Sequence, residues 1–83
     1  MPIGNPEQNS VLANRLKELC KEKEISYAEL AERSRLPVRR IQRMAYGRVT
    51  DPGIFQMMRI CKTLGVTLDE FVANEDFNRM IEE

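Results

Sequence analysis

Six arginines, Arg33, Arg35, Arg39, Arg40, Arg43 and Arg48, fall in one short stretch that contains no acidic residue. The whole chain carries 13 basic and 13 acidic side chains and no histidine, so its formal net charge is zero. The excess is therefore local, a property of one surface. A guanidinium is a planar fork of N–H donors, shaped to bond two acceptors at once on a phosphate or on the O6/N7 edge of guanine. Arg39 and Arg43 are read as contacts to bases, with Gln42 nearby. Arg40, Arg48, Tyr27 and Ser26 are read as contacts to phosphates, which position a protein without reading sequence. Val38 has two readings, contact with a thymine methyl or packing beside Leu36. A solvated basic face is the plainer account of such a cluster. Here, however, the arginines concentrate on a two-helix motif, Ser26 to Gly47, of the kind that enters a major groove. Double-stranded DNA is the partner this chemistry points to.

Other chemistries have little to rest on. The lack of histidine removes the commonest general base and the commonest metal ligand together. No nucleophile–base pair, metal-ligand cluster or phosphate-binding glycine loop is visible, so neither an enzyme nor a cofactor is expected. Cys20 and Cys61 each fall on an apolar stripe and read as small buried hydrophobes rather than a redox switch. No apolar run is long enough for a membrane span, and MPIGNPEQ lacks the regions of a secretory signal, so a cytoplasmic protein is expected. With 83 residues the chain is expected to be one domain over 1–83, with its core over about 6–73. The extension 74–83 is acidic; from Asp69 to Glu83 there are six acids against one arginine.

These residues need elements to position them. Asn5-Pro6-Glu7-Gln8 reads as a helix start, with Asn5 as N-cap, Pro6 at the first helical position and Gln8 bonding back. Leu12, Leu16, Leu19 and Cys20 recur at helical spacing and predict a first helix over about 6–23. Arg15 and its charged neighbours are placed on the surface, and Ile25 in the core. Ser26 caps a second helix, with Glu29 completing a capping box; Ala28, Leu30 and Ala31 face inward. Ser34-Arg35-Leu36-Pro37 breaks it. Pro37 opens a third helix whose buried side is Leu36, Ile41 and Met44, and Gly47 ends it as a left-handed cap. Asp51 reads as the N-cap, and Pro52 as the first position, of a fourth helix reaching Leu64. Its buried stripe is read as Ile54, Met57, Met58, Cys61 and Leu64, with Ile60 at the margin and Phe55 off the stripe. Gly65 closes it. Thr67 and Glu70 form a second capping box, opening a fifth helix with Leu68, Phe71 and Val72 inward. Asn74 caps a short last helix with Phe77, Met80 and Ile81 on one face. No segment alternates as a strand does. The expected fold is all-α, a compact five-helix bundle, with a sixth short C-terminal helix as the variant.

Leu16-Lys17-Glu18-Leu19, Ile25-Ser26, Glu29-Leu30-Ala31-Glu32, Ile41, Gly47, Pro52 and Leu64-Gly65-Val66-Thr67-Leu68-Asp69-Glu70-Phe71 follow one another in a telling order. That order and spacing resembles the lambda-repressor-like DNA-binding domains of the Cro/repressor (Cro/C1-type) helix-turn-helix kind, common in phage and bacterial regulators. The likeness runs from Leu12 to Val72. It implies five helices, with the second and third as the DNA-binding unit and the third in the major groove. It also implies base contacts at Val38, Arg39 and Arg43, and a phosphate contact at Tyr27, where the family usually has glutamine. Backbone groups around Gly47 and Arg48 would meet phosphates. Members often bind palindromic sites as homodimers, which implies a dimer or partner patch formed by Phe55, Phe77, Met80 and Ile81; the plainer reading folds the tail onto the first and fourth helices. Some positions depart from the pattern. Cys20 and Ala45 stand where the family often pairs an arginine with a glutamate, and losing both partners strands no charge. Arg35 stands where glycine is usual, and Pro37 replaces a serine or threonine cap. The loop before Pro52 is longer than the commonest form. The function so implied is that of a sequence-specific DNA-binding transcriptional regulator, a small phage, prophage or bacterial repressor. The competing class is a protein-interaction module, an antitoxin or accessory factor, working through its acidic C-terminal end.

Overall fold

The computed structural model describes residues 6–49 and 52–81, and the side-chain surroundings of 9–49 and 52–79. The helices are α1 (Pro6–Glu22), α2 (Tyr27–Ser34), α3 (Val38–Ala45), α4 (Ile54–Leu64), α5 (Leu68–Phe71) and α6 (Glu75–Ile81), with no strand among the described residues. The fold is therefore all-helical, and the sixth short helix is present. Asn5, Thr50 and Asp51 lie outside the described residues, as do the side chains of Gln8, Met80 and Ile81.

The core follows the helical stripes. Leu12, Leu16, Leu19 and Cys20 of α1 meet Leu30 and Ala31 of α2 and Ile41, Met44 and Ala45 of α3. Cys20 and Ala45 are both buried and both apolar in effect, so the core is closed where an ion pair would otherwise need desolvating. On α4 the buried set is Met57, Ile60, Cys61 and Leu64, a stripe at i, i+3, i+4 and i+7. This corrects the stripe expected there: Ile60 is fully buried at its centre, while Ile54 and Met58 are exposed. Ala28 likewise faces outward rather than into the core.

Four of the helix ends close in the same way. Past α1, Ile25 N–H reaches Cys20 O at 3.0 Å and Glu24 N–H reaches Lys21 O at 3.2 Å. The same pair of bonds recurs after α2 (Leu36 to Ala31, Arg35 to Glu32), α3 (Arg48 to Arg43, Gly47 to Met44) and α4 (Val66 to Cys61, Gly65 to Lys62). This is the Schellman arrangement, in which one left-handed residue lets the chain satisfy the last carbonyls. Gly47 and Gly65 take that position without cost, at φ 74° and 75°; Glu24 and Arg35 take it at φ 55° and 60° against the side-chain penalty. At three of the ends the next residue, Ile25, Leu36 or Val66, turns back onto the core.

The start of α4 differs from expectation. Its N-cap is Gly53, at φ 84° and ψ 146°, and Pro52 lies before the helix rather than at its first position. By contrast, α5 opens on a complete capping box: Glu70 N–H donates to Thr67 Oγ1 and Thr67 N–H to Glu70 Oε1, both at 3.0 Å. The Thr67 backbone N–H, and after it the Thr67 side chain, hold the Glu70 carboxyl below the ordinary glutamate range. A carboxyl depressed in the folded state adds stability above its ordinary range, and that stability disappears as the pH falls through the folded value. Glu70→Gln is therefore expected to be less stable than the native chain near neutrality and to converge with it as the pH drops below about 4.3. Urea unfolding at a series of pH values reads this, and a gap that stays constant down to acid pH would refute it.

Candidate nucleic-acid interface

The two helices of the motif are seated by their small and apolar sides. Leu30 and Ala31 on α2 face Ile41, Met44 and Ala45 on α3, and the two pack closely against each other. Ser26 caps α2, its Oγ accepting the Glu29 N–H at 3.0 Å. The Glu29 carboxylate is drawn to Arg33 instead, at 3.7 Å. Because Ser26 Oγ is the acceptor in its capping bond, its own hydroxyl hydrogen remains able to donate. Ser34 is buried, and its hydroxyl donates to Leu30 O at 2.6 Å, closing the last turn. Arg35 is the left-handed residue of the turn, and Pro37 starts α3 as an N-cap with no side-chain hydrogen bond.

With Ile41, Met44 and Ala45 inward, α3 turns Arg39, Gln42 and Arg43 to solvent, and all three are exposed. Val38, 42% exposed, stands at the start of the same helix. Tyr46, 67% exposed, follows Arg39 by seven residues and so shares its face. Tyr46 is signalled in the sequence only by its place in the repeat Arg39, Arg43, Tyr46. Arg40 is set apart: it is half-buried, and its Nε donates to Gln56 Oε1 of α4 at 2.8 Å. Tyr27, the first residue of α2, is half-buried against the core. Burial pushes its phenol upward, with Cys20 and Tyr46 as smaller causes, so the hydroxyl keeps its proton and stays a donor.

One expectation needs correction. The N–H groups of Gly47 and Arg48 are both committed to capping α3, at 3.1 and 2.9 Å. They are not open donors for a phosphate, and at this end the Arg48 guanidinium is the available group. A Cβ on Gly47 would stand 3.7 Å from Asn9 O, ordinary contact, so glycine is needed here for its backbone angle and not for space.

On α4, Phe55 is 74% exposed, as expected. Phe77 is not presented outward. It is half-buried, packed against the core, with its ring 6.2 Å from that of Phe71 at 56°, and α6 lies on α1. Arg15 is the residue whose role spacing alone did not disclose. Its Nε donates to Phe71 O and its Nη2 to Glu70 O, both at 2.6 Å, and it pairs with Glu18. The signal was slight: Arg15 falls beside Leu12 and Leu16 on the edge of the apolar stripe. Both cysteines are free and buried, and burial raises their thiols, which makes them poor nucleophiles.

Two short helices joined by a tight turn, the second outwardly basic and both seated on a five-element apolar core, define a helix-turn-helix domain. The chain belongs to the Cro/C1-type HTH DNA-binding domain family, whose model matches residues 15–76. No curated protein matches it. As a member of that family it is a DNA-binding domain of the regulator type, and no described helix is long and apolar enough to cross a membrane.

Proposed function

We propose that the chain is a sequence-specific transcriptional regulator, a small repressor of phage, prophage or bacterial origin. It acts on DNA in the cytoplasm and lays α3 in the major groove. The observation that carries this reading is the outward face of α3, where exposed Arg39, Gln42 and Arg43 are backed by fully buried Ile41, Met44 and Ala45. Arg39 and Arg43 read bases; Gln42 and Val38 reach adjacent pairs, the amide suiting adenine and the valine a thymine methyl. Ser26, Tyr27, Arg40 and Arg48 bind phosphates, and the left-handed turn at Gly47 places the Arg48 guanidinium beyond the end of α3. Binding is as a homodimer, with exposed Phe55 and its neighbours Ile54 and Met58 at the contact.

Selection of binding sites from random duplexes tests the reading. The expected product is a palindrome whose half-sites lie about one helical turn, roughly 34 Å, apart. Its affinity should fall with salt at about 0.9 log units per log of salt for each phosphate neutralised. A pool that shows no enrichment after repeated rounds would remove sequence-specific regulation as the function.

A further inference from the structure

The arginine cluster divides in the structure. Arg39 and Arg43 lie on the outward face of α3, whereas Arg33 and Arg35 border a different feature with Arg59, Lys62, Ser34 and Thr63. This is an open recess of about 360 Å³ between the end of α2 and the last turns of α4. Four cations from two helices and a turn surround it. Arg33 and Lys62 have an ordinary account, since each sits in the last turn of its helix, where the helix dipole favours positive charge. That account is too small. Two helix ends supply about one negative charge between them, and Glu29, 3.7 Å from Arg33, supplies one more. Among the described residues, Glu29 is the one carboxylate within ion-pair distance of any of these four cations, so the recess keeps a positive excess.

Nor do the carbonyls ending α2 need these side chains. Ser34 Oγ donates to Leu30 O at 2.6 Å, Leu36 N–H to Ala31 O at 2.9 Å and Arg35 N–H to Glu32 O at 3.2 Å. The Thr63 hydroxyl donates to Arg59 O at 2.9 Å. Both hydroxyls at the recess therefore give their hydrogens to backbone, and the donors left to it are guanidinium and ammonium groups. Arg35 holds its left-handed backbone where glycine would sit at lower cost; what the arginine adds is charge at the rim.

We propose that this recess is a second anion site, separate from the α3 face, that takes a compact phosphate-bearing group with at least two negative charges. A carboxylate offers one charge in one plane. A phosphate chain offers several charged oxygens in different directions, which suits forks arriving from both sides. The group comes either from a free polyphosphate or from the backbone of a bound duplex.

The test titrates the full chain with sodium tripolyphosphate at fixed ionic strength while backbone amide resonances are followed. Saturable shifts are expected at 33–35 and 59–63, weakened about tenfold or more in Arg59→Gln/Lys62→Gln. Arg35→Gly, which suits the turn geometry, should weaken binding in the same direction without unfolding the chain. Shifts that fall only on the α3 face, or that survive unchanged in both variants, overturn the site. Equal binding of tetraglutamate overturns the phosphate assignment. Two supporting outcomes separate the sources. If the double variant also lowers the salt slope for a long random duplex by about 0.9 or more, the group is a backbone phosphate; if duplex binding is unchanged while tripolyphosphate binding is lost, the ligand is free.

Discussion

Replacing Phe71 with alanine is expected to remove about 3–5 kcal/mol of folding stability, the range for deleting a fully buried aromatic ring. On a chain of this length, total stability is on the order of 4–12 kcal/mol, so a large fraction of it would go. The expectation rests on how little else seats the C-terminal part. The single turn α5 spans four residues, too few to hold a helix on its own. On its N-terminal side the Thr67–Glu70 box satisfies the first donors. On its far side the Arg15 guanidinium takes the Glu70 and Phe71 carbonyls. These bonds orient the turn, but the fully buried Phe71 ring is what fixes it to the core and supports Phe77 of α6. Urea unfolding should show a fall in midpoint, and amide exchange should show α6 losing protection first. Phe55→Ala, at a largely exposed ring, should stay within about 0.5 kcal/mol of the native chain. A Phe71→Ala variant as stable as Phe55→Ala would mean that α5 and α6 are held by something other than this ring.

The contrast between α1 and α4 shows what sequence can and cannot specify. In α1 the apolar residues mark one face, and the stripe Leu12, Leu16, Leu19, Cys20 is the one that is buried. In α4, by contrast, Ile54, Phe55, Met57, Met58, Ile60, Cys61 and Leu64 cover more than one face, so periodicity alone selects no register. Packing against α2 and α5 decides it, and Ile60 moves from margin to centre. Local bonds were more legible. The Thr67–Glu70 box, the Ser26 and Asn74 caps and the glycine ends at Gly47 and Gly65 all depend on residues a few positions apart, and each is present. The Ser26 box is only half formed, because Arg33 competes for Glu29 across one turn of the same helix. Contacts between distant segments left almost no trace: nothing in the spacing ties Arg40 to Gln56, Arg15 to the end of α5, or Arg33 and Arg35 to Arg59 and Lys62. The outward placement of Arg39 and Arg43 followed from helix period once Ile41 and Met44 were assigned inward, so the candidate reading face was visible before the residues that brace it.

Converting Arg39 and Arg43 to lysine together is expected to abolish most of the discrimination between a selected site and random DNA, while leaving general affinity and its salt slope nearly intact. Charge and shape contribute separately. Lysine keeps the positive charge that releases counterions from phosphates, and that term is indifferent to sequence. It lacks the flat fork that bonds guanine O6 and N7 together. Each well-formed pair is worth about 1–3 kcal/mol of discrimination, so two contribute about 2–6 kcal/mol. The spacing is suitable for two such pairs. Four residues of helix rise about 6 Å, against about 3.4 Å per base step, so the two forks address bases about two steps apart. Arg40→Ala provides the control, since that side chain is held at its Nε by Gln56 and is assigned to a phosphate. Its loss should weaken binding to selected and random duplexes alike and lower the salt slope by about 0.9. Competition binding with selected and scrambled duplexes at two salt concentrations measures all three quantities. If the double lysine variant keeps its full preference for the selected site, base reading belongs to other residues of the motif, with exposed Gln42 on α3 and exposed Tyr46 at its C-cap the candidates.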